Sequence, residues 1–234
     1  MTASRGKRRL LLGLCLAGTL LFAALGIWQI QRLAWKRDLI ARVDARTHAP
    51  PVPVPVRRDW GRLDIHDAEY RRVRARGSFL HDRETRVDAL TVRGPGAWVL
   101  TPLETADGVI LVNRGFVPPE LADARARQAG QVPGEVVVTG LLRASEPHGR
   151  FLRPNKPAAD RWFSRDVVAI ARARGIEGAA PFFIDADVES STPGGPLGGL
   201  TVVHFRNAHL VYAATWFGLA LLCIAGMLVK PDAG

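Results

Sequence analysis

An uncharged apolar run near the C-terminus constrains this chain more than any other feature. Residues 201–230 have the sequence TVVHFRNAHLVYAATWFGLALLCIAGMLVK, and Asn207–Val229 contains no acidic residue, lysine or arginine. A helix rises about 1.5 Å per residue, so a run of this length spans a hydrocarbon core of about 30 Å. The sequence therefore predicts a transmembrane helix over residues 207–229, followed by a short tail over 230–234.

Polar and aromatic side chains gather at the entrance of this helix. Arg206, Asn207 and His209 are followed by Tyr212 and Trp216. Helical spacing predicts that His209, Tyr212 and Trp216 share one face. Such a group suits a membrane–water interface, and an imidazole backed by aromatic rings also suits a planar metallo-cofactor. The residues alone leave both interpretations open.

A second apolar run lies near the N-terminus. Residues 1–9 form a basic tail, and Leu10–Gln31 contains no charged residue. One alternative is a signal peptide cleaved near Ala24-Leu25-Gly26, and the other is a retained membrane anchor. The run is longer than the apolar core of a signal peptide and continues as a helical pattern. This length favours a retained transmembrane helix over residues 10–31.

The segment after the first apolar run has residues typical of a helix that leaves the membrane. Trp28 and Trp35 are seven residues apart and therefore share a helical face. Anchoring of these tryptophans at the membrane–water interface is preferred to a role as ligands. Residues 32–58 are predicted to extend the helix to about Arg46 and then to form a spacer. Proline keeps the spacer at Ala49–Val56 extended.

Two helices separated by a long segment place both termini on the same side of a membrane. A long segment tends to translocate regardless of its charge. The sequence therefore predicts a multi-pass protein of the cell inner membrane, with both termini cytoplasmic and residues 59–206 in the periplasm.

Residues 59–206 are predicted to form one α+β domain. Val73–Phe79 alternates apolar residues with arginines, as expected for a strand with one packed and one basic face. Gly94-Pro95-Gly96 is a predicted turn, and Ser164 is a predicted N-cap for a helix over Arg165–Arg174. These signals favour a mostly antiparallel β-barrel-like or curled sheet with one or two short helices, flanked by the two transmembrane helices.

Charge and cysteine content restrict the functions that remain. The chain has 32 Lys and Arg against 22 Asp and Glu, a net charge of +10. The flanking helices favour membrane lipids over nucleic acid as the partner of this charge. Cys15 and Cys223 both lie in the apolar ends. The middle domain therefore has no disulfide framework and no thiolate metal site within one chain.

Motifs for catalysis are missing from the sequence. None of the six histidines forms a His-x-x-x-His pair, and there is no Gly-x-Ser-x-Gly elbow and no phosphate loop. The sequence therefore predicts a binding or assembly protein and not an enzyme.

Five segments in order resemble one protein family. They are GIWQIQRLAWK at Gly26–Lys36, YRRVRARGSF at Tyr70–Phe79, VLTPLETADGVILVNRGFVP at Val99–Pro118, FLRPNKP at Phe151–Pro157 with Trp162, Phe163 and Asp166, and FRNAHLVYAATWFGLA at Phe205–Ala220. Their order and spacing are similar to those of the surfeit locus protein 1 family, which are assembly factors for haem–copper cytochrome c oxidase. Together they cover nearly the whole chain, and the chain is identified as a bacterial member.

The resemblance implies a non-enzymatic role in maturing cytochrome c oxidase subunit I, with haem a as cofactor and haem a synthase as a further partner. A histidine at the start of the last helix is the iron ligand proposed for the family, which implies His209 here and, as a second candidate, His204. Tyr212 and Trp216 would flank the haem. The alternative is a scaffold that holds an oxidase intermediate and never ligates iron.

The family motifs also mark residues outside the implied ligand set. Those with an implied interface or structural role are Trp28, Arg32, Trp35, Arg114, Gly115, Arg206 and Asn207. For Arg114 and Gly115, a strand end whose backbone requires glycine is the preferred interpretation.

Overall fold

A computed structural model of the protein describes residues 2–150, 152–200 and 207–228. The chain divides into two compact units. The first comprises Met1–Arg42 and His204–Gly234, and the second comprises Val43–Val203. His204, Arg206 and the tail over 230–234 lie outside the described residues.

Two long helices make up the described part of the first unit. Helix α1 spans Thr2–His48, and helix α4 spans His209–Leu228. Each contains a stretch that is long and apolar enough to cross a membrane, as in a membrane protein. Helix α1 passes through Ala24–Gly26 without a break and ends at His48, close to the predicted end of the helix extension.

The two helices pack through residues that recur every three or four positions. The covered positions of α4 are His209, Ala213, Trp216, Leu219, Ala220, Cys223 and Met227. This spacing produces a narrow seam between two nearly antiparallel helices. Gly26 of α1 permits the close approach, because a Cβ there would lie 2.6 Å from the ring of Phe217.

A seven-stranded sheet organises the second unit. The strands are β1 Val52–Pro53, β2 Arg72–Phe79, β3 Thr85–Thr91, β4 Gly94–Thr105, β5 Gly108–Val117, β6 Glu135–Ala144 and β7 Phe182–Ala186. Their order is β1-β2-β6-β7-β5-β4-β3. The pairs β1–β2 and β5–β7 are parallel, and the other pairs are antiparallel, so the sheet is mixed.

The sheet curls but does not close into the barrel that the strand pattern allowed. A two-residue pairing, Ser78↔Glu104 and Phe79↔Leu103, brings β2 against β4. The predicted α+β class and curled sheet are confirmed, while β1 and β3 stay at the outer edges. The Pro-rich spacer is part of this sheet, since Val52 pairs with Val73.

Two local predictions were wrong. Gly94–Gly96 is not the hairpin turn, because these residues already pair with β3 and the turn is at Val92-Arg93. Pro95 is tolerated there because β5 pairs with β4 only from Ala97 onward. The N-cap of the predicted helix is Asp166, whose carboxylate accepts from Ala169 N at 3.1 Å.

Short helices complete the unit and cover two hydrophobic cores. Helix α2 spans Ile65–Ala68 and helix α3 spans Val167–Ala173. One core packs β2, β6 and β7 around Phe182 and Leu142. The other packs α3 against the opposite face of the sheet around Trp162 and Phe183. Since β7 is buried on both faces, the alternation expected of a surface strand is absent there.

Candidate functional site

The imidazole of His209 is held by a residue of the other helix. Its Nδ1 lies 2.7 Å from Oε1 of Gln29. When the amide oxygen of Gln29 accepts from Nδ1, the neutral imidazole keeps a lone pair on Nε2. In the part of the chain that the structure describes, no hydrogen bond uses Nε2. Its lone pair is therefore available to a metal centre.

Gln29, the partner of His209, was not identified from the sequence. It is only 9% exposed and lies on the face of α1 that packs against α4. The sequence signal was an amide within an apolar run, three residues after Gly26. A polar group in such a run requires a partner, and the antiparallel packing supplies His209.

The two aromatic residues beyond His209 differ in their surroundings. Trp216 stacks on Phe22 of α1, with ring centroids 5.8 Å apart and planes at 18°. Tyr212 is 55% exposed. The predicted shared face thus holds for His209 and Trp216, which are seven residues apart, while Tyr212 lies beside the seam.

The remaining predicted interface residues of the first unit are exposed. Trp28 and Trp35 are both about half exposed, at 53% and 47%. The guanidinium of Arg32 lies 4.0 Å from the ring centroid of Trp35. Asn207 is exposed just before α4. These positions agree with interfacial anchoring of an amphipathic side-chain belt.

Metal-ligating side chains are sparse among the described residues of this unit. Among the described residues, no cluster of three or more His, Cys, Asp and Glu side chains can hold a metal ion. A bare zinc or copper ion therefore has no matching site there. A haem needs only one protein nitrogen on its axis, and His209 offers one in a fixed orientation.

A second candidate region lies at the end of β5, at Asn113-Arg114-Gly115. The register between β4 and β5 shifts here, since Val99 pairs with Gly115 and Leu100 pairs with Asn113. Arg114 is the extra residue of this β-bulge, and the bulge directs its side chain into the protein, where it is 6% exposed.

Asn113 connects the bulge to a buried ionic network. Its Nδ2 donates to Asp185 at 2.7 Å, and its Oδ1 accepts from Gly115 N at 3.2 Å. Asp185 also accepts from Arg143 at 2.8 Å and from Arg165 at 2.9 Å. These hydrogen bonds connect β5, β6 and β7 to one another and to Arg165.

Among the described residues, Arg114 forms no ion pair with a carboxylate. It donates to the carbonyl of Gly130, and its guanidinium lies 4.9 Å from the ring centroid of Phe79. Burial lowers the pKa of Arg114 to about 10. The nearby Glu84 opposes this shift but is paired with Arg127. Arg114 thus supports the structural interpretation of this strand end.

His81 predicts an acid-sensitive fold near Arg114. Its Nε2 lies 3.1 Å from the carbonyl of Val132, while burial lowers the pKa of His81 below its usual value. The unfolded chain therefore binds a proton at higher pH than the folded chain. We expect the free energy of unfolding to decrease as pH falls through about 6.5, the ordinary histidine pKa.

Unfolding of the full chain measured from pH 8 to pH 5 checks this effect. His81→Gln keeps a donor for Val132 and should flatten the slope, whereas the exposed control His66→Gln should keep it. An unchanged slope in His81→Gln would assign the acid sensitivity to other groups.

Comparison with known protein families gives a match over most of the chain. The model of the SURF1 family matches residues 16–221. The chain belongs to the SURF1 family. The match includes α1 from Leu16, the whole second unit and most of α4, and the resemblance deduced from the five segments is confirmed.

Named relatives of this SURF1-family chain cover most of its length. "Surfeit locus protein 1" of Homo sapiens is 42% identical over 214 residues, which are 84% of this chain and 69% of the human protein. The Mus musculus protein of the same name is 42% identical over 83% of this chain and 67% of its own length. A "SURF1-like protein" of Monosiga brevicollis is 39% identical over 86% of this chain and 80% of its own.

Proposed function

We propose that this SURF1-family chain is an assembly factor for haem–copper cytochrome c oxidase, which binds haem a through His209 and aids its insertion into subunit I. The observation that carries the proposal is the His209–Gln29 hydrogen bond at 2.7 Å. This contact supports a tautomer in which Nε2 has the lone pair, and membership of the family supplies the context.

The residues around His209 have separate roles in this proposal. Gln29 orients the imidazole and raises the basicity of Nε2. Trp216, stacked on Phe22, stabilises the helix seam beside it. Tyr212 has an exposed ring about one turn along α4, and this ring would pack against the bound haem. His209 would hold the haem through Nε2, and the haem would supply the metal centre that the imidazole ligates.

The proposed location rests on the two candidate membrane helices, and the proposed protein partners rest on membership of the family. We place the protein in the cell inner membrane with both termini cytoplasmic and Val43–Val203 in the periplasm. Subunit I receives the haem, haem a synthase is a candidate donor, and lipids surround α1 and α4. His204 stays a second ligand candidate outside the described residues. The role is non-enzymatic.

The absorption spectrum tests haem ligation directly. The full chain is purified from cells that make haem a, beside His209→Ala, Gln29→Leu and Gln31→Leu. We expect a haem band in the native chain that is lost in His209→Ala. Gln29→Leu should retain a shifted band with affinity lower by about 10- to 100-fold, as for other groups that orient a metal ligand. Gln31 is exposed on α1, so Gln31→Leu should match the native chain.

Three other outcomes would contradict parts of the proposal. A band unchanged in His209→Ala would exclude His209 as the ligand. A band unchanged in Gln29→Leu would exclude the orienting role of the amide. No band in any form, with oxidase assembly still dependent on the protein, would make it a scaffold that holds subunit I without haem.

A further inference from the structure

The second unit presents two apolar loop tips on one surface. At the β3–β4 hairpin, Leu90 is 74% exposed and Val92 is 90% exposed. On a neighbouring loop, Leu152 is 84% exposed and has a φ of 60°, a strained conformation for leucine. Large aliphatic side chains that are this exposed suit contact with an apolar phase.

The two tips are linked by contacts through β3. Arg153, next to Leu152, forms an ion pair of 3.5 Å with Asp88. Asp88 and Leu90 are two residues apart in β3 and so point to the same side of the strand. Leu90 and Leu152 therefore belong to one continuous surface.

Cations surround these tips. We call their surface the basic face: Arg86, Arg93, Arg150, Arg153, Lys156 and Arg161. Among the ion pairs of the described residues, only Arg153 of this set has a carboxylate partner. The nearby carboxylate of Asp160 is already paired with Arg174 at 2.6 Å. The basic face therefore carries uncompensated positive charge.

Two depressions on the basic face provide space for anionic groups. One, of about 300 Å³, is lined by Arg86 and Arg161 together with Asp88 and Asp160, which are paired with Arg153 and Arg174. The other, of about 290 Å³, is lined by Arg153, Lys156 and Arg161 and by no carboxylate. Phe163 forms a wall of both, with the guanidinium groups of Arg153 and Arg161 5.7 Å and 6.0 Å from its ring centroid. Guanidinium groups held in this way bind phosphate esters well.

The arginines predicted on the exposed face of β2 differ from the cations of the basic face in their ion pairs. Arg72 pairs with Asp187 at 3.0 Å and with Glu189 at 3.2 Å, and Arg76 pairs with Glu135 at 3.4 Å. The charge of β2 is thus largely compensated within the protein. The basic face differs because most of its cations form no ion pair among the described residues, and because it has apolar tips.

We propose that the basic face docks on the anionic headgroup surface of a lipid bilayer, with Leu90, Val92 and Leu152 entering the outer acyl region. Phosphate groups complement several cations at once, and aliphatic tips gain free energy on leaving water. Since the same chain carries two candidate membrane helices, the effective concentration of lipid around this face is high. The docking is independent of haem ligation by His209.

Fluorescence quenching by lipid tests the proposal on the full chain in nanodiscs. A fluorophore is attached to Val92→Cys or Leu152→Cys after Cys15→Ala and Cys223→Ala remove the native thiols. The discs contain either phosphatidylglycerol or phosphatidylcholine brominated on an acyl chain. We expect strong quenching of both labels in phosphatidylglycerol and weak quenching in phosphatidylcholine. A label on Val168→Cys, which is 63% exposed on α3, should stay unquenched.

Charge variants test the role of the cations. The double substitution Lys156→Gln and Arg161→Gln should lower the docking equilibrium constant about 30-fold, since each cation near an anionic surface contributes about fivefold. The same loss of charge at the exposed Arg58 and Arg62, by Arg58→Gln and Arg62→Gln, should change it little.

Several results would overturn the proposal. Tip labels quenched no more than the Val168→Cys label would exclude bilayer contact. Equal quenching in both lipids would exclude headgroup recognition. A label response that requires added oxidase subunit I would make the basic face a protein interface.

Discussion

Asp185→Asn will destabilise the second unit by about 3–5 kcal/mol, the usual cost of breaking a buried ion pair. The side chain of Asp185 is 1% exposed and compensates the guanidinium groups of Arg143 and Arg165. Asparagine keeps the shape of the side chain but removes its charge. Both arginines, whose side chains are 13% exposed, then lose their most buried counter-ion.

Denaturant unfolding of the full chain, followed by tryptophan fluorescence, measures this loss. Asp187→Asn is the matched control, because Asp187 lies two residues on and pairs with Arg72 at 3.0 Å in a more exposed setting. Its loss should be about 1 kcal/mol or less. Equal losses in the two variants would show that the buried network is not a major source of stability.

This network also marks a limit of sequence reasoning about the fold. The alternation of β2 was predicted because one face of that strand is exposed, and its side chains follow the pleat. Strand β7 is buried on both faces, so its sequence has no such period. The sequence pattern therefore did not indicate that Asp185 is buried, and its partners Arg143 and Arg165 are 42 and 20 residues away.

The site around His209 likewise depends partly on a local sequence pattern and partly on contacts between residues that are distant in the sequence. His209 was identified from its position at the start of an apolar helix, a local pattern. Gln29 is 180 residues away, and only the antiparallel packing of α1 on α4 connects the two. The position of Trp216 against Phe22 likewise depends on the register between the helices, which periodicity within one helix does not specify.

Gly115→Ala should have the second large effect, a loss of about 3–5 kcal/mol in the free energy of unfolding. Gly115 has a φ of 128°, and a Cβ there would overlap the carbonyl of Leu197. Backbone strain and displacement of a packed segment each cost about 1–3 kcal/mol. The displaced segment is held to the sheet by two hydrogen bonds of 2.9 Å between Phe116 and Leu197.

The expected mechanism of this loss is release of the segment around Leu197 from β5. Limited proteolysis should therefore cut Gly115→Ala within residues 190–199 faster than the native chain. Gly134→Ala is the control, because Gly134 has a φ of 79° but no heavy atom within 4 Å of its Cβ position. It carries the strain without the collision and should cost about 1–2 kcal/mol. Equal unfolding free energies and equal protease resistance in the two variants would show that the close contact between Gly115 and Leu197 does not hold the segment. The β-bulge alone would then position Arg114.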